Sequence, residues 1–146
     1  MKTYKPRFLF RNGDINTIYP GFFRKVNVKY TRERIELKDG DFLDIDRITK
    51  GNRKLAVLCH GLEGSSNSNY IRAAASLLSK NKYDIVAVNY RSCSGEINRL
   101  PRFYHAGATK DLGEVIEYIE KDYESIYLAG FSLGANLILK YLGVEA

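Results

Sequence analysis

The feature that most constrains this chain is a change of hydrophobic period near residue 54. Beyond Lys54, short continuous apolar runs at 55–59, 85–88 and 126–129 alternate with stretches whose apolar residues recur at helical spacing. Runs of four or five such residues are too short for a helix and lack the polar alternation of a half-solvated strand, so they fit strands buried on both faces of a parallel sheet. Between and after them, Tyr70, Ala74, Leu77 and Leu78 fall at i, i+4, i+7, i+8, and Leu112, Val115, Ile116 and Ile119 at i, i+3, i+4, i+7. Leu133, Leu137 and Tyr141 form a third stripe. Strand and helix thus alternate three times, which predicts an α/β fold with a mostly parallel sheet.

Before Lys54 the pattern is different. Val26, Val28 and Tyr30 alternate with polar residues, Ile35 and Leu37 resume the alternation after a slip, and Asp39-Gly40 stands before Phe42, Leu43 and Ile45. Asp-Gly between alternating runs is a strong hairpin signal, so an antiparallel hairpin is expected ahead of the parallel part. Residues 1–146 read as a single domain without internal repeat or linker.

Composition narrows the class further. Across 146 residues, 45% are apolar and 27% charged, an ordinary globular balance that excludes collagen, low-complexity disorder and a disulfide scaffold. The run at 55–59 is far short of the roughly 18 apolar residues a spanning helix needs, and Met1-Lys2-Thr3-Tyr4-Lys5-Pro6 has no apolar signal core. A cytoplasmic protein without a transmembrane segment is expected. Cys59 and Cys93 belong to no CxxC or His cluster, which signals neither a zinc site nor a disulfide framework; both read as free thiols.

The net charge of +6 is unevenly placed. Residues 1–38 carry ten Lys/Arg against three Asp/Glu, while residues 39–146 carry 13 against 14. Such an arm invites phosphates or an anionic membrane, but Tyr4, Phe8, Leu9, Phe10, Ile18, Tyr19, Phe22 and Phe23 are interleaved with the charges. That mixture favours a basic aromatic wrap over residues 1–25, lying on the core with its charges outward, and no specific nucleic-acid partner is expected. Asp39, Asp41, Asp44 and Asp46 lack the spacing of a calcium loop and read as solvated hairpin charge.

Two constellations carry chemistry. Gly130-Phe131-Ser132-Leu133-Gly134 has the G-x-S-x-G form of a nucleophile elbow, with the apolar run at 126–129 entering it and a helical stripe leaving it. The glycines are required where strand and helix nearly touch around the serine. A serine at a helix N-terminus also lies where backbone N–H groups favour the negative charge that develops in acyl transfer. The second constellation, Cys59-His60-Gly61-Leu62-Glu63-Gly64-Ser65-Ser66, directly follows a buried run. An oxyanion hole takes one N–H from the residue after the nucleophile and one from the loop after an earlier strand, which nominates Leu133 and Leu62. His60, Gly61 and Gly64 are expected to shape that loop. His105 is read as a structural, hydrogen-bonded histidine. Neither a P-loop lysine nor GxGxxG is present, and no metal or organic cofactor is implied.

Taken together, these residues resemble the YheT-like branch of the α/β-hydrolase superfamily, the AB hydrolase 4 family. The matching stretches are residues 19–25, 39–46, 60–66, 89–96 through Tyr104-His105, and 130–136; Ala135 stands where family members usually carry glycine. The resemblance implies a carboxylesterase or lipase-like serine hydrolase acting on a small-molecule acyl ester or lipid, with Ser132 as nucleophile and the loop of residues 60–64 on the oxyanion side. In this fold the triad runs Ser, then Asp or Glu, then His. After Ser132 there is no histidine, and the only acid is Glu145. At about 30 residues per βα unit, an eight-stranded α/β-hydrolase needs roughly 240 residues. The chain is therefore expected to cover the N-terminal half of the fold, truncated after the nucleophile-elbow helix. On this reading it is inactive alone and liable to self-association or pairing with a C-terminal-half partner. A non-catalytic binding or assembly module, or one half of a split hydrolase, is the alternative.

Overall fold

The computed structural model describes residues 5–22 and 26–144. A short 3-10 turn (Phe8–Arg11) leads into α1 (Gly13–Phe22), capped by Asn12, whose side-chain oxygen accepts the N–H groups of Asp14 (2.8 Å) and Ile15 (3.2 Å). Then come β1 (Thr31–Glu36), β2 (Phe42–Ile48), β3 (Lys54–Cys59), α2 (Asn69–Lys80), β4 (Asp84–Asn89), α3 (Thr109–Ile119), β5 (Ser125–Gly130) and α4 (Leu133–Val144).

The five strands form one sheet in the order β1-β2-β4-β3-β5. β1 and β2 are the expected hairpin, closed at Asp39-Gly40, where Gly40 takes φ +87° and its N–H donates to the Leu37 carbonyl at 3.0 Å. β2 pairs antiparallel with β4, and β4, β3 and β5 run parallel. Alternation along β3 sorts the core. Leu55, Val57 and Cys59 face α3 and α4 with Leu112, Val115, Ile119 and Leu137; Ala56 and Leu58 face α2 with Ile71 and Ala75. β3 and β4 are buried as their continuous apolar runs require, while β5 is only half-buried.

Four expectations need correction. Residues 26–30 keep an alternating half-buried and exposed pattern but have no ladder partner among the described residues, where the first strand starts at Thr31. Alternation reports which side a segment rests on; pairing needs a neighbour as well. The buried face of α2 is Ile71, Ala75 and Ser79, whereas Tyr70 and Leu77 are exposed. The helix is thus rotated by about one residue from its predicted stripe, which leaves Tyr70 beside the loop that follows β3.

Of the four hairpin aspartates only Asp39 is exposed as expected. Asp41, Asp44 and Asp46 are buried, because arginines meet them: Arg34 is the register partner of Asp44 and Arg32 that of Asp46, each with two side-chain bonds of 2.8–3.0 Å, and Arg91 reaches Asp41 at 2.7 Å. Nor do residues 5–22 wrap over the core. Phe8, Leu9, Ile15, Ile18 and Tyr19 are exposed, and Phe10 meets Tyr19 edge-on at 5.1 Å, so the segment packs partly on itself. Tyr4, Phe23 and the side chain of Phe22 lie outside the described residues.

Candidate active site

Parallel pairing brings the two predicted constellations together at the carboxyl ends of β3 and β5. Cys59, the last residue of β3, is the register partner of Gly130, the last of β5, and the Phe131 N–H donates to the Cys59 carbonyl at 3.1 Å. The chain then turns directly into α4. Ser132 is exposed and takes φ +52°, the left-handed region that non-glycine residues rarely adopt. What holds it there is crowding on both sides. A Cβ on Gly130 would lie 2.5 Å from the Ala135 nitrogen, and one on Gly134 would lie 2.4 Å from the Cys59 carbonyl oxygen. Strand and helix are in backbone contact, and the serine at the apex projects from the turn. Leu133 opens α4, and its N–H and that of Ser132 have no acceptor among the described residues.

The loop after β3 abuts this turn. A Cβ on Gly61 would come within 3.3 Å of the Phe131 carbonyl oxygen and 3.4 Å of the Ser132 Cβ, and one on Gly64 would be 2.7 Å from the Tyr70 hydroxyl. Almost every amide in the loop is used. The Gly61 N–H donates to the Tyr70 hydroxyl (3.0 Å), Glu63 to the Tyr104 hydroxyl (2.7 Å), and Gly64 to the Gly61 carbonyl (3.1 Å). Ser65 donates to the Ser68 hydroxyl, Ser66 to the Asn89 side chain (2.9 Å), Asn67 to the Ser65 hydroxyl and Ser68 to the Ser65 carbonyl. From Gly61 to Ser68, the one N–H without an acceptor among the described residues is that of Leu62, whose side chain is exposed.

His60 sits beneath the loop with no exposed surface. Its Nδ1 lies 2.7 Å from the Gly61 carbonyl and its Nε2 accepts the Tyr90 N–H at 3.4 Å, which assigns the proton to Nδ1. Burial lowers its pKa below the ordinary histidine value, partly offset by the Gly61 carbonyl. A neutral ring with both nitrogens engaged is a scaffold, and its ring bonds among the described residues go to Gly61 and Tyr90. His105 is exposed, and its Nδ1 accepts the Gly107 N–H at 3.1 Å. Glu145 lies outside the described residues.

Beneath the far end of the loop is a polar lock. Asp46 accepts the Ser66 hydroxyl (2.5 Å) and the Asn89 amide (3.0 Å) besides Arg32, tying the loop to β2 and β4. Burial would raise the Asp46 carboxyl, but these donors hold it below its usual range. Sequence reasoning missed this lock, and it placed Tyr70 in the core. The available signal for Tyr70 was chemical: in a stripe with Ala74, Leu77 and Leu78 it alone carries a hydroxyl.

A five-stranded sheet of this order, with a serine at a strained turn between β5 and α4, defines the class of α/β hydrolases. The chain belongs to that family: the α/β hydrolase fold matches residues 55–145. It is 35% identical over 144 residues to YheT of Escherichia coli (strain K12), named as an esterase, a match covering 93% of this chain and 42% of that protein. To the human monoacylglycerol lipase ABHD2 it is 29% identical over 155 residues, covering 97% of this chain and 36% of the relative. The chain thus spans less than half the length of these relatives. Among solved structures, an esterase of Pyrococcus furiosus, Pf2001, superposes with a TM-score of 0.70 at 22% identity, over 80% of this chain and 47% of that one, which supports the fold.

Proposed function

We propose that this chain is the nucleophile-bearing part of a serine hydrolase that cleaves carboxylic esters, its substrate a small-molecule acyl ester or a lipid. Residues 1–146 then form one portion of an α/β-hydrolase domain, working in the cytoplasm. The observation that carries this reading is the exposed Ser132 held at φ +52° between two glycines that have no room for a side chain. Strain of about 1–3 kcal/mol persists only where the surroundings enforce it, and here it presents one hydroxyl to solvent. Ser132 attacks the acyl carbonyl, and the Leu133 and Leu62 N–H groups receive the oxyanion. His60, Gly61 and Gly64 shape the loop that carries Leu62. The names of the relatives, an esterase and a monoacylglycerol lipase, support ester and lipid substrates.

The general base and its orienting acid are not supplied by these residues, since no histidine follows Ser132 and His60 is engaged on both sides. They come from a segment outside this sequence, joined to it or encoded separately. That same lack favours a second reading, a non-catalytic binding or assembly module on the same fold. Ester turnover decides between them. Residues 1–146 alone are expected to give little turnover of p-nitrophenyl esters, because loss of triad members costs roughly 10⁴ to 10⁶ in rate. Adding the C-terminal segment of YheT that this chain does not match is expected to restore turnover, and Ser132→Ala to abolish it. Turnover unaffected by Ser132→Ala would remove Ser132 as the nucleophile, and a tight complex that neither turns over ester nor reacts with a fluorophosphonate would establish the binding module instead.

A further inference from the structure

The loop after β3 leaves one amide unused out of eight, and that selectivity has identifiable agents. In a trans peptide the C=O and N–H point in opposite directions. The peptide linking Gly61 to Leu62 has its carbonyl held by two donors, the Gly64 N–H at 3.1 Å and the His60 Nδ1 at 2.7 Å. Its N–H, that of Leu62, is therefore turned away from the buried histidine. The peptides on either side are each caught at the N–H by a phenol, and the one linking His60 to Gly61 is held at its carbonyl as well, by the Tyr90 hydroxyl at 3.1 Å. Tyr70, from the first turn of α2, accepts the Gly61 N–H; Tyr104, from the segment before α3, accepts the Glu63 N–H.

Neither tyrosine owes its place to the loop alone. The Tyr70 ring lies 4.8 Å from that of Phe131, the residue before Ser132, so its hydroxyl and its ring engage the two sides of the site. The Tyr104 ring packs on Tyr90 at 5.2 Å and stands edge-on to His60 at 6.3 Å. Glu63 itself takes φ +53°, an unfavourable conformation for a residue with a side chain, and the bond from its N–H to Tyr104 helps to hold it.

We propose that Tyr70 and Tyr104 are positioning residues of the oxyanion hole: their hydroxyls occupy the amides flanking Leu62, so that the Leu62 N–H alone is left, fixed in direction, to meet the developing negative charge. This rests on the hydrolase reading above. A preset donor adds to catalysis because no reorganisation is needed as charge develops, and removing one such donor costs about 10²–10³ in kcat. Loosening a donor costs less than deleting it. Each hydroxyl is expected to contribute about tenfold, and the pair up to about a hundredfold, with substrate binding little changed.

Phenylalanine substitutions isolate the hydroxyls, since the rings and their packing stay. Residue-resolved amide hydrogen exchange on residues 1–146 is expected to show slow exchange at Gly61 and Glu63 and near-intrinsic exchange at Leu62. Tyr70→Phe should speed Gly61 at least tenfold, and Tyr104→Phe should speed Glu63 likewise, with the amides of Ile71 and Ala75 unaffected. In the mixture with the YheT segment, Tyr70→Phe/Tyr104→Phe should lower kcat by about 10- to 100-fold with KM within about twofold. Unchanged exchange at Gly61 and Glu63, a kcat within twofold of the parent, or exchange rising throughout α2 would each overturn the proposal. Insensitivity of turnover to Ser132→Ala would instead remove the reading of Ser132 as nucleophile, and the exchange data would still decide whether the tyrosines hold the loop.

Discussion

Among the described residues Arg91 is the only buried arginine or lysine side chain. It follows β4 and is almost fully buried, and its guanidinium meets three carboxylates: Asp111 at 2.7 and 2.9 Å, Asp41 at 2.7 Å and Asp39 at 2.8 Å. Asp41 has further donors in the Asn98 amide (2.8 Å) and the backbone N–H groups of Phe42 and Arg99. Burial would raise its pKa; these bonds reverse the effect and hold it down to about 2. Replacing Arg91 by leucine keeps apolar volume but strands three buried or half-buried carboxylates, so Arg91→Leu is expected to destabilise by about 3–5 kcal/mol. Urea denaturation measures this, and a loss below about 1 kcal/mol would show that water reaches the cluster. None of this was legible in the sequence. Spacing shows that Asp39, Asp41, Asp44 and Asp46 alternate, but alternation cannot say whether the polar face meets solvent or arginines from residues 32, 34 and 91. By contrast Gly130 and Gly134 were legible, because the close contact that excludes a Cβ there is local to one turn.

At the level of elements, periodicity was most informative where an element is buried deeply. β3 and β4 lie where their continuous apolar runs put them, and α3 buries Leu112, Val115 and Ile119 as its stripe predicts. It was least informative where burial is partial, as on α2, where tolerance for Ala and Ser on the inner face blurs the stripe. β5 and α4 show a third case. Among the described residues β5 pairs only with β3, its side chains are half-buried, and on α4 Leu139 is 71%, Leu142 52% and Val144 70% exposed. An apolar strand edge beside an apolar helix face is an association surface. Purified residues 1–146 are expected to bind a hydrophobic dye and to self-associate, measured by fluorescence and sedimentation. Leu139→Glu/Leu142→Glu should reduce both without loss of helical circular dichroism. A monodisperse parent with no dye binding would mean that this face is closed in solution.

The whole molecule couples its buried charges and its buried neutral groups into one pH profile of stability. The carboxyls of Asp39, Asp41, Asp44, Asp46 and Asp84 are all lowered by their donors against the opposing effect of burial. A group depressed in the folded state contributes stability above its unfolded pKa of about 4, and that contribution is lost as pH falls toward the folded value, here about 2 for Asp41. His60 acts in the same direction at higher pH. Because burial lowers its folded pKa, the unfolded chain takes up its proton first, and stability begins to fall below about pH 6.5. At the alkaline end the signs reverse. Burial raises the Cys59 thiol and the Tyr30 phenol each to about 12 and raises Cys93 and Tyr90 as well. Groups held neutral in the fold ionise first in the unfolded chain, at about pH 8.5 for thiols and about 10 for phenols, so stability declines from there upward. Urea midpoints across pH 3–11 are therefore expected to trace a plateau between about 6.5 and 8.5, with a shallow acid shoulder ahead of a steep fall below pH 4. Replacing both cysteines with alanine should extend the plateau to about pH 10 from a lower baseline, since Cys59 lies wholly inside the core. A profile flat from pH 8.5 to 10 in the parent would show that the thiols titrate alike in both states, and the burial argument for Cys59 would fail with it.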